Sequence, residues 1–178
     1  MKNIKTICNF LTVILVSLLA IVFTSCADEI LNSVDNDIRQ DGFSFHVNSK
    51  TRTATLTGCH VDATDTDFVS VPAEVEYCNR QCLVITIGRL AFSDFGVRTL
   101  QLPEGIQFIE PGAFKQCPSL RAIIISGDRL PEVEENAFDE EAYENVTLYF
   151  TSYNMMEEAV HHPVWNLFEI IGYWTQRP

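Results

Sequence analysis

Residues 87–92, 109–114 and 133–138 spell one motif, Ile/Val-x-x-x-Ala-Phe, three times over. Their phenylalanines, Phe92, Phe114 and Phe138, stand 22 and 24 positions apart. A period in the twenties marks stacked supersecondary units, each able to bury its apolar side only against its neighbours. The chain is therefore expected to be an α+β solenoid with a continuous column of phenylalanines inside it.

Each unit has a second half. Leu100-Gln101-Leu102-Pro103, Ile123-Ile124-Ile125 and Val146-Thr147-Leu148 read as short strands, with Leu100, Ile123 and Val146 spaced 23 and 23 apart. Val97 and Leu120, three positions earlier, complete L-x-x-L-x-L, and Tyr143 takes that place in the third copy. Pro103 ends its strand because it has no amide to give a ladder. Val69-Ser70-Val71-Pro72 is an earlier copy, nine residues further from its successor than the period allows. The excess falls in 75–85, where Val75-Glu76-Tyr77 and Cys82-Leu83-Val84 flank Cys78-Asn79-Arg80-Gln81, so a hairpin is inserted there. About three and a half repeats thus occupy residues 69–150.

Both ends of the array need a cover. Phe43, Phe45 and Val47 alternate with polar residues, Thr53 to Thr57 is rich in β-branched residues, and Asn48-Ser49-Lys50 supplies a turn. This predicts an N-terminal β-hairpin cap over 43–68, hiding an open sheet edge. Residues 151–172 are expected to form a helical C-terminal cap. Asn154 starts its helix, Met156, Ala159 and Val160 give the apolar face, and Pro163 stops it. Val164 to Phe168 then adds a second apolar turn, and residues 173–178 are a tail.

The N-terminus reads as an export signal over 1–25. Lys2 and Lys5 precede a nearly unbroken apolar run from Leu11 to Phe23, which is shorter than the roughly 20 residues of a spanning helix. Phe23-Thr24-Ser25-Cys26 resembles a bacterial lipobox, which makes Cys26 the acylated residue. A plain secretory signal and a signal anchor are the weaker alternatives. Acyl chains bury about 0.8 kcal/mol per methylene, enough to hold a protein on a bilayer without a spanning segment. Residues 26–42 then read as lipidated cysteine and flexible tether. Removing 1–25 takes away Lys2 and Lys5 but none of the 24 acidic residues, so the charge becomes 10 − 24 = −14. Such a chain repels nucleic acid and anionic lipid.

Four further cysteines, Cys59, Cys78, Cys82 and Cys117, follow Cys26. Cys117 takes the place that Phe95 holds one unit earlier, which marks it as a free core thiol. One disulfide among Cys59, Cys78 and Cys82 stays open, because export permits it. Cys-x3-Cys with no further ligand at finger spacing is poor evidence for zinc.

The chain carries no nucleophile elbow, phosphate loop, H-E-x-x-H or dinucleotide fingerprint, so neither catalysis nor a cofactor is expected. His161 and His162, adjacent on a helix, point about 100° apart and share one ion poorly. They fit better as helix-end imidazoles near the negative pole. The acidic run Glu132, Glu134, Glu135, Asp139, Glu140, Glu141 and Glu144 lacks calcium-loop spacing, as do Asp62, Asp65 and Asp67. Both read as solvated surface. Asn145-Val146-Thr147 fits a glycosylation sequon, but Val146 belongs to a core strand.

Together these residues resemble the BspA-type leucine-rich repeat proteins, which include surface lipoproteins of gut and oral anaerobic bacteria. The resemblance is carried by Leu100-Gln101-Leu102-Pro103, Ile106, Ile109, Ala113-Phe114, Cys117 and Leu120, and by Trp165 and Phe168 near the end. It covers about residues 43–171 and implies a short leucine-rich-repeat array with parallel strands. By analogy it also implies adhesion to a protein or glycan on host or neighbouring cells. Ala27-Asp28-Glu29 after the cysteine resembles outer-membrane sorting toward the cell exterior.

A binding surface then follows from geometry. Residues flanking the inward Leu and Ile of each strand point to the concave sheet face. They are Ser70, Thr99, Gln101, Ala122, Ile124, Asn145 and Thr147, with Ile124 expected to stand exposed as an apolar centre. The competing reading is a structural or accessory lipoprotein of a larger envelope complex that binds nothing soluble.

Overall fold

A computed structural model describes residues 36–61, 67–168 and 170–173. The signal segment, Cys26, Asp62 and Asp65 lie outside the described residues.

The described residues form mostly parallel strands with few helices. Twelve strands fall into two sheets among the described residues. The first sheet holds β1 (Asp37–Gln40), β2 (Phe43–Asn48), β3 (Thr53–Cys59), β6 (Arg80–Ile87), β8 (Phe108–Ile109) and β10 (Glu132–Val133) in that order. The inserted hairpin strand β5 (Glu74–Tyr77) pairs antiparallel with β6. The second sheet runs β12 (Ile170–Tyr173), β11 (Thr147–Phe150), β9 (Ala122–Ile125), β7 (Thr99–Leu102), β4 (Phe68–Ser70), all parallel.

The chain alternates between the sheets from β7 to β11, so each repeat adds one rung to both. The register steps by 23 residues and then by 25: Leu148, not the expected Val146, is the third equivalent of Leu100, because the helix Glu140–Asn145 delays the start of β11. Leu100 pairs with Ile123, and Ile123 with Leu148. All three are buried, as are Leu102, Ile125 and Phe150 two residues on. One apolar cluster gathers inward residues from both sheets.

The Ala-Phe dipeptide has a geometric cause. The Phe92 amide donates to the Ala113 carbonyl at 3.0 Å, and the Phe114 amide to the Ala137 carbonyl at 2.9 Å. Alanine's single methyl leaves room for the neighbouring backbone, and Ala91, Ala113 and Ala137 are all buried. With backbones held at rung spacing, the rings must stack. Phe92 and Phe114 lie 5.3 Å apart at 4°, and Phe114 and Phe138 4.7 Å apart at 7°. Cys117, half-buried, donates its thiol hydrogen to the Phe92 carbonyl at 2.9 Å. Burial pushes its pKa up to about 11. All four cysteines in the described residues are free thiols.

The column ends on the closing segment. Trp165 and Phe168 meet Phe138 edge-on, with ring centroids at 6.0 and 5.0 Å. Trp165 is fully buried, and its indole N–H donates to the Pro131 carbonyl at 3.0 Å. That bond satisfies a polar atom which would otherwise be stranded in the core.

Three segments differ from the sequence reading. Asp37–Gln40, read as tether, forms edge strand β1 against β2, held by backbone pairing without an apolar pattern of its own. The tail read from residue 173 onward instead begins within β12, where Tyr173 pairs with Phe150 and continues the second sheet. Helix α2 (Tyr153–Ala159; α1 is Glu140–Asn145) starts one residue earlier than expected. It buries Met155 and Ala159, while Val160 lies past the helix end and is exposed.

Candidate functional site

The second sheet has one face in the core and one turned away from it. Register sets the away-facing side chains in two rows. Phe68, Thr99, Ala122 and Thr147 form one row, and Ser70, Gln101, Ile124 and Tyr149 the other. Parallel in-register strands place neighbouring side chains about 5 Å apart, so each row is a continuous line of groups.

Of the residues expected on this face, Ser70, Thr99, Gln101, Ala122 and Thr147 are there. Ser70 is exposed and the other four are half-buried. Gln101 donates from Nε2 to Ser126 Oγ at 3.2 Å, which fixes its amide across the strand end.

Two expected residues are not as read. Ile124 lies on this face but is only 1 % exposed, so it is no accessible apolar centre. Its register partners are Gln101 and Tyr149, two long side chains on either side of it. Asn145 is off the sheet altogether. It closes helix α1, and its Nδ2 donates to the Glu141 carbonyl at 2.7 Å. Six residues of helix before β11 displace the strand start to Thr147.

Two residues on the face were missed. Phe68, placed at the end of the N-terminal cap, instead starts β4 and is 46 % exposed. Tyr149 stands in line with Ile124, and a Cβ on Gly172 would lie 2.7 Å from its Cε1. The tyrosine ring therefore rests against the glycine of β12. The signal for both was available: carrying the alternation one residue beyond Val69 and Leu148 gives Phe68 and Tyr149.

The face is uncharged along its rows, flanked at one edge by Arg98 and Asp67 at 3.7 Å. Hydroxyls, an amide and aromatic rings on a rigid sheet can bind a partner by hydrogen bonding and stacking, without acid–base chemistry. No three His, Cys, Asp or Glu side chains converge as a metal centre would among the described residues. Elsewhere, a cleft of about 380 Å³ lies beside Gln116, Arg121 and Asn145, and its Arg121 already donates to the Pro118 and Leu120 carbonyls.

Residues 72–170 match the family described as BspA type leucine rich repeat region, in six copies. That span is more than half of the 178 residues. The chain belongs to this family. Six copies exceed the three and a half repeats counted from the phenylalanine period. Three solved structures are similar to this BspA-type chain. A leucine-rich repeat protein from Bacteroides capillosus ATCC 29799 is 19 % identical, with TM-score 0.49, covering 66 % of this chain and 99 % of its own. A leucine rich cell surface protein from Faecalibacterium prausnitzii A2-165 is 19 % identical, with TM-score 0.45, covering 71 % and 36 %. A leucine-rich repeat protein from Bacteroides ovatus ATCC 8483 is 17 % identical, with TM-score 0.46, covering 76 % and 41 %. The chain thus spans under half the length of the last two. No curated protein matches it.

Proposed function

We propose that this BspA-type chain is a cell-surface binding module, held by an acylated Cys26 in the outer membrane, that recognises a protein or glycan. The away-facing side of the second sheet is the contact surface. The observation that carries this reading is the uncharged double row itself: Ser70, Thr99, Gln101, Thr147 and Tyr149 on three strands of a five-stranded parallel sheet, with half-exposed Phe68 at the edge. In a chain with 24 acidic and 12 basic residues, a face without carboxylates stands apart from the rest of the surface.

In this reading the repeats form a short solenoid. The β2–β3 hairpin covers one end, and α2 with Trp165 and Phe168 covers the other. Burying both ends keeps a repeat array soluble while leaving the long sheet face free for a partner.

Replacing Ser70, Thr99 and Thr147 together with Lys tests the contact surface. Adhesion to matrix proteins, glycans or neighbouring cells should be lost while the melting temperature is kept. Unchanged adhesion contradicts the reading. Metabolic labelling with a radioactive fatty acid tests the anchor: label should enter the wild-type protein and not Cys26→Ala.

A further inference from the structure

The two sheets do not end together. After β11 the chain adds β12 to the second sheet, yet between them, among the described residues, it adds no strand to the first, which stops at β10. The edge of β10 is therefore where another strand belongs. The Glu132 and Glu134 amides donate inward, to the Gln107 and Ile109 carbonyls at 2.9 and 3.1 Å. By alternation the Val133 amide and carbonyl face the other way, and neither has a hydrogen-bond partner among the described residues.

A groove of about 740 Å³ lies along this edge, walled on its far side by His162, Pro163 and Val164. Glu110, Glu132, Glu134 and Glu135 line it, and no lysine or arginine does. Phe108, 44 % exposed, stands beside Glu132 in register.

We propose that β10 and this groove bind an extended cationic peptide segment of a partner protein, which adds itself to the first sheet as a further strand. Backbone pairing to Val133 supplies the register. Alternate side chains of the added strand then fall beside Glu132 and Glu134, where lysine or arginine is complementary and glutamate is repelled. The intervening side chains fall beside Val133, where an aliphatic group fits. The site is separate from the rows of the second sheet, so it does not depend on the function proposed for them.

The test is anisotropy titration of the full-length chain with fluorescein-labelled (Lys-Val)4, (Glu-Val)4, and (Lys-Val)4 N-methylated at every residue, which blocks pairing to Val133 in either strand direction. The lysine peptide should bind saturably and the glutamate peptide should not. N-methylation, which leaves the protein untouched, should weaken binding about tenfold, as losing a backbone hydrogen bond predicts. Val133→Pro should do the same, and the Glu132→Gln/Glu134→Gln pair should weaken binding most at low salt. No binding of the lysine peptide, or equal binding of its N-methylated form, overturns the proposal. So does self-association of the wild type in sedimentation that Val133→Pro abolishes, since the edge would then belong to a second copy.

Discussion

The rings of Phe114 and Phe138 lie 4.7 Å apart and within 7° of parallel, although 24 residues separate them in sequence. Their backbones form a parallel bridge, so ring spacing and rung spacing are set by the same contact. Phe114 also stacks on Phe92, which makes it the middle member of the column. Phe114→Ala should cost about 3–5 kcal/mol, the usual range for emptying a buried aromatic site. Phe114→Leu should cost less. Glu140→Ala, on an exposed position, should be nearly silent. Chemical denaturation of the three variants checks the order.

Gly88 tests a different kind of fit. Its amide donates to the Leu56 carbonyl at 2.8 Å, and a Cβ at Gly88 would come within 2.6 Å of that same oxygen. Backbone cannot swing aside as a side-chain end can. Gly88→Ala should therefore destabilise by about 1–3 kcal/mol, as overpacking does. Gly105→Ala meets no atom within 4 Å, but its φ of 100° disfavours alanine for conformational reasons alone. The sharper comparison is with Gly172→Ala, where the clash is with the Tyr149 ring, which can move. Thermal melts should rank Gly88→Ala as more damaging than Gly172→Ala.

His162 gives a pH dependence with a definite sign. Its Nδ1 accepts from the Val164 and Trp165 amides at 3.2 and 3.4 Å, a role that an imidazolium cannot fill. Burial lowers its pKa below the usual 6.5, with Glu158 opposing the shift. A depressed histidine pKa means the unfolded chain binds the proton more readily, so the stability is complete above about pH 6.5 and declines as pH falls through the folded value. Wild type should lose more stability between pH 7 and 5 than His162→Gln does. Melts across that range, compared variant against wild type, cancel the common titration of the carboxylates.

The thiols should separate by access and acidity. Cys78 is exposed in the tight turn between β5 and β6, where it and Asn79 have φ of 51° and 57°. Burial pushes Cys59 and Cys117 up to about 11, and raises Cys82 as well. At pH 8 a thiol of pKa 11 is ionised in about one molecule in a thousand. Maleimide on the folded protein should modify Cys78 before Cys59, Cys82 or Cys117, as peptide mapping would show.

The repeat was legible because its period is written in buried residues. Phe92, Phe114 and Phe138 repeat, and so do Leu100 and Ile123, since each must fill the same slot, whereas the third member of that row is Leu148 where the spacing gave Val146. The face of the second sheet was legible only where alternation alone decides it. Ile124 was misread because exposure depends on its neighbours, and Tyr149 was not assigned to the strand beside it. Asn145 was misread because the short helix Glu140–Asn145 buries nothing and leaves no apolar period. β1 was hidden for a similar reason: an edge strand held by backbone pairing need not alternate.

The central claim is that a partner docks on the away-facing rows of the second sheet. Photo-crosslinking on native cells addresses it most directly, with a benzophenone side chain at Thr147 in one protein and at Leu83 in another. Leu83 is 53 % exposed and lies on β6 of the other sheet. The account predicts a discrete crosslinked partner from Thr147 and none from Leu83. A partner captured from Leu83 alone would contradict it.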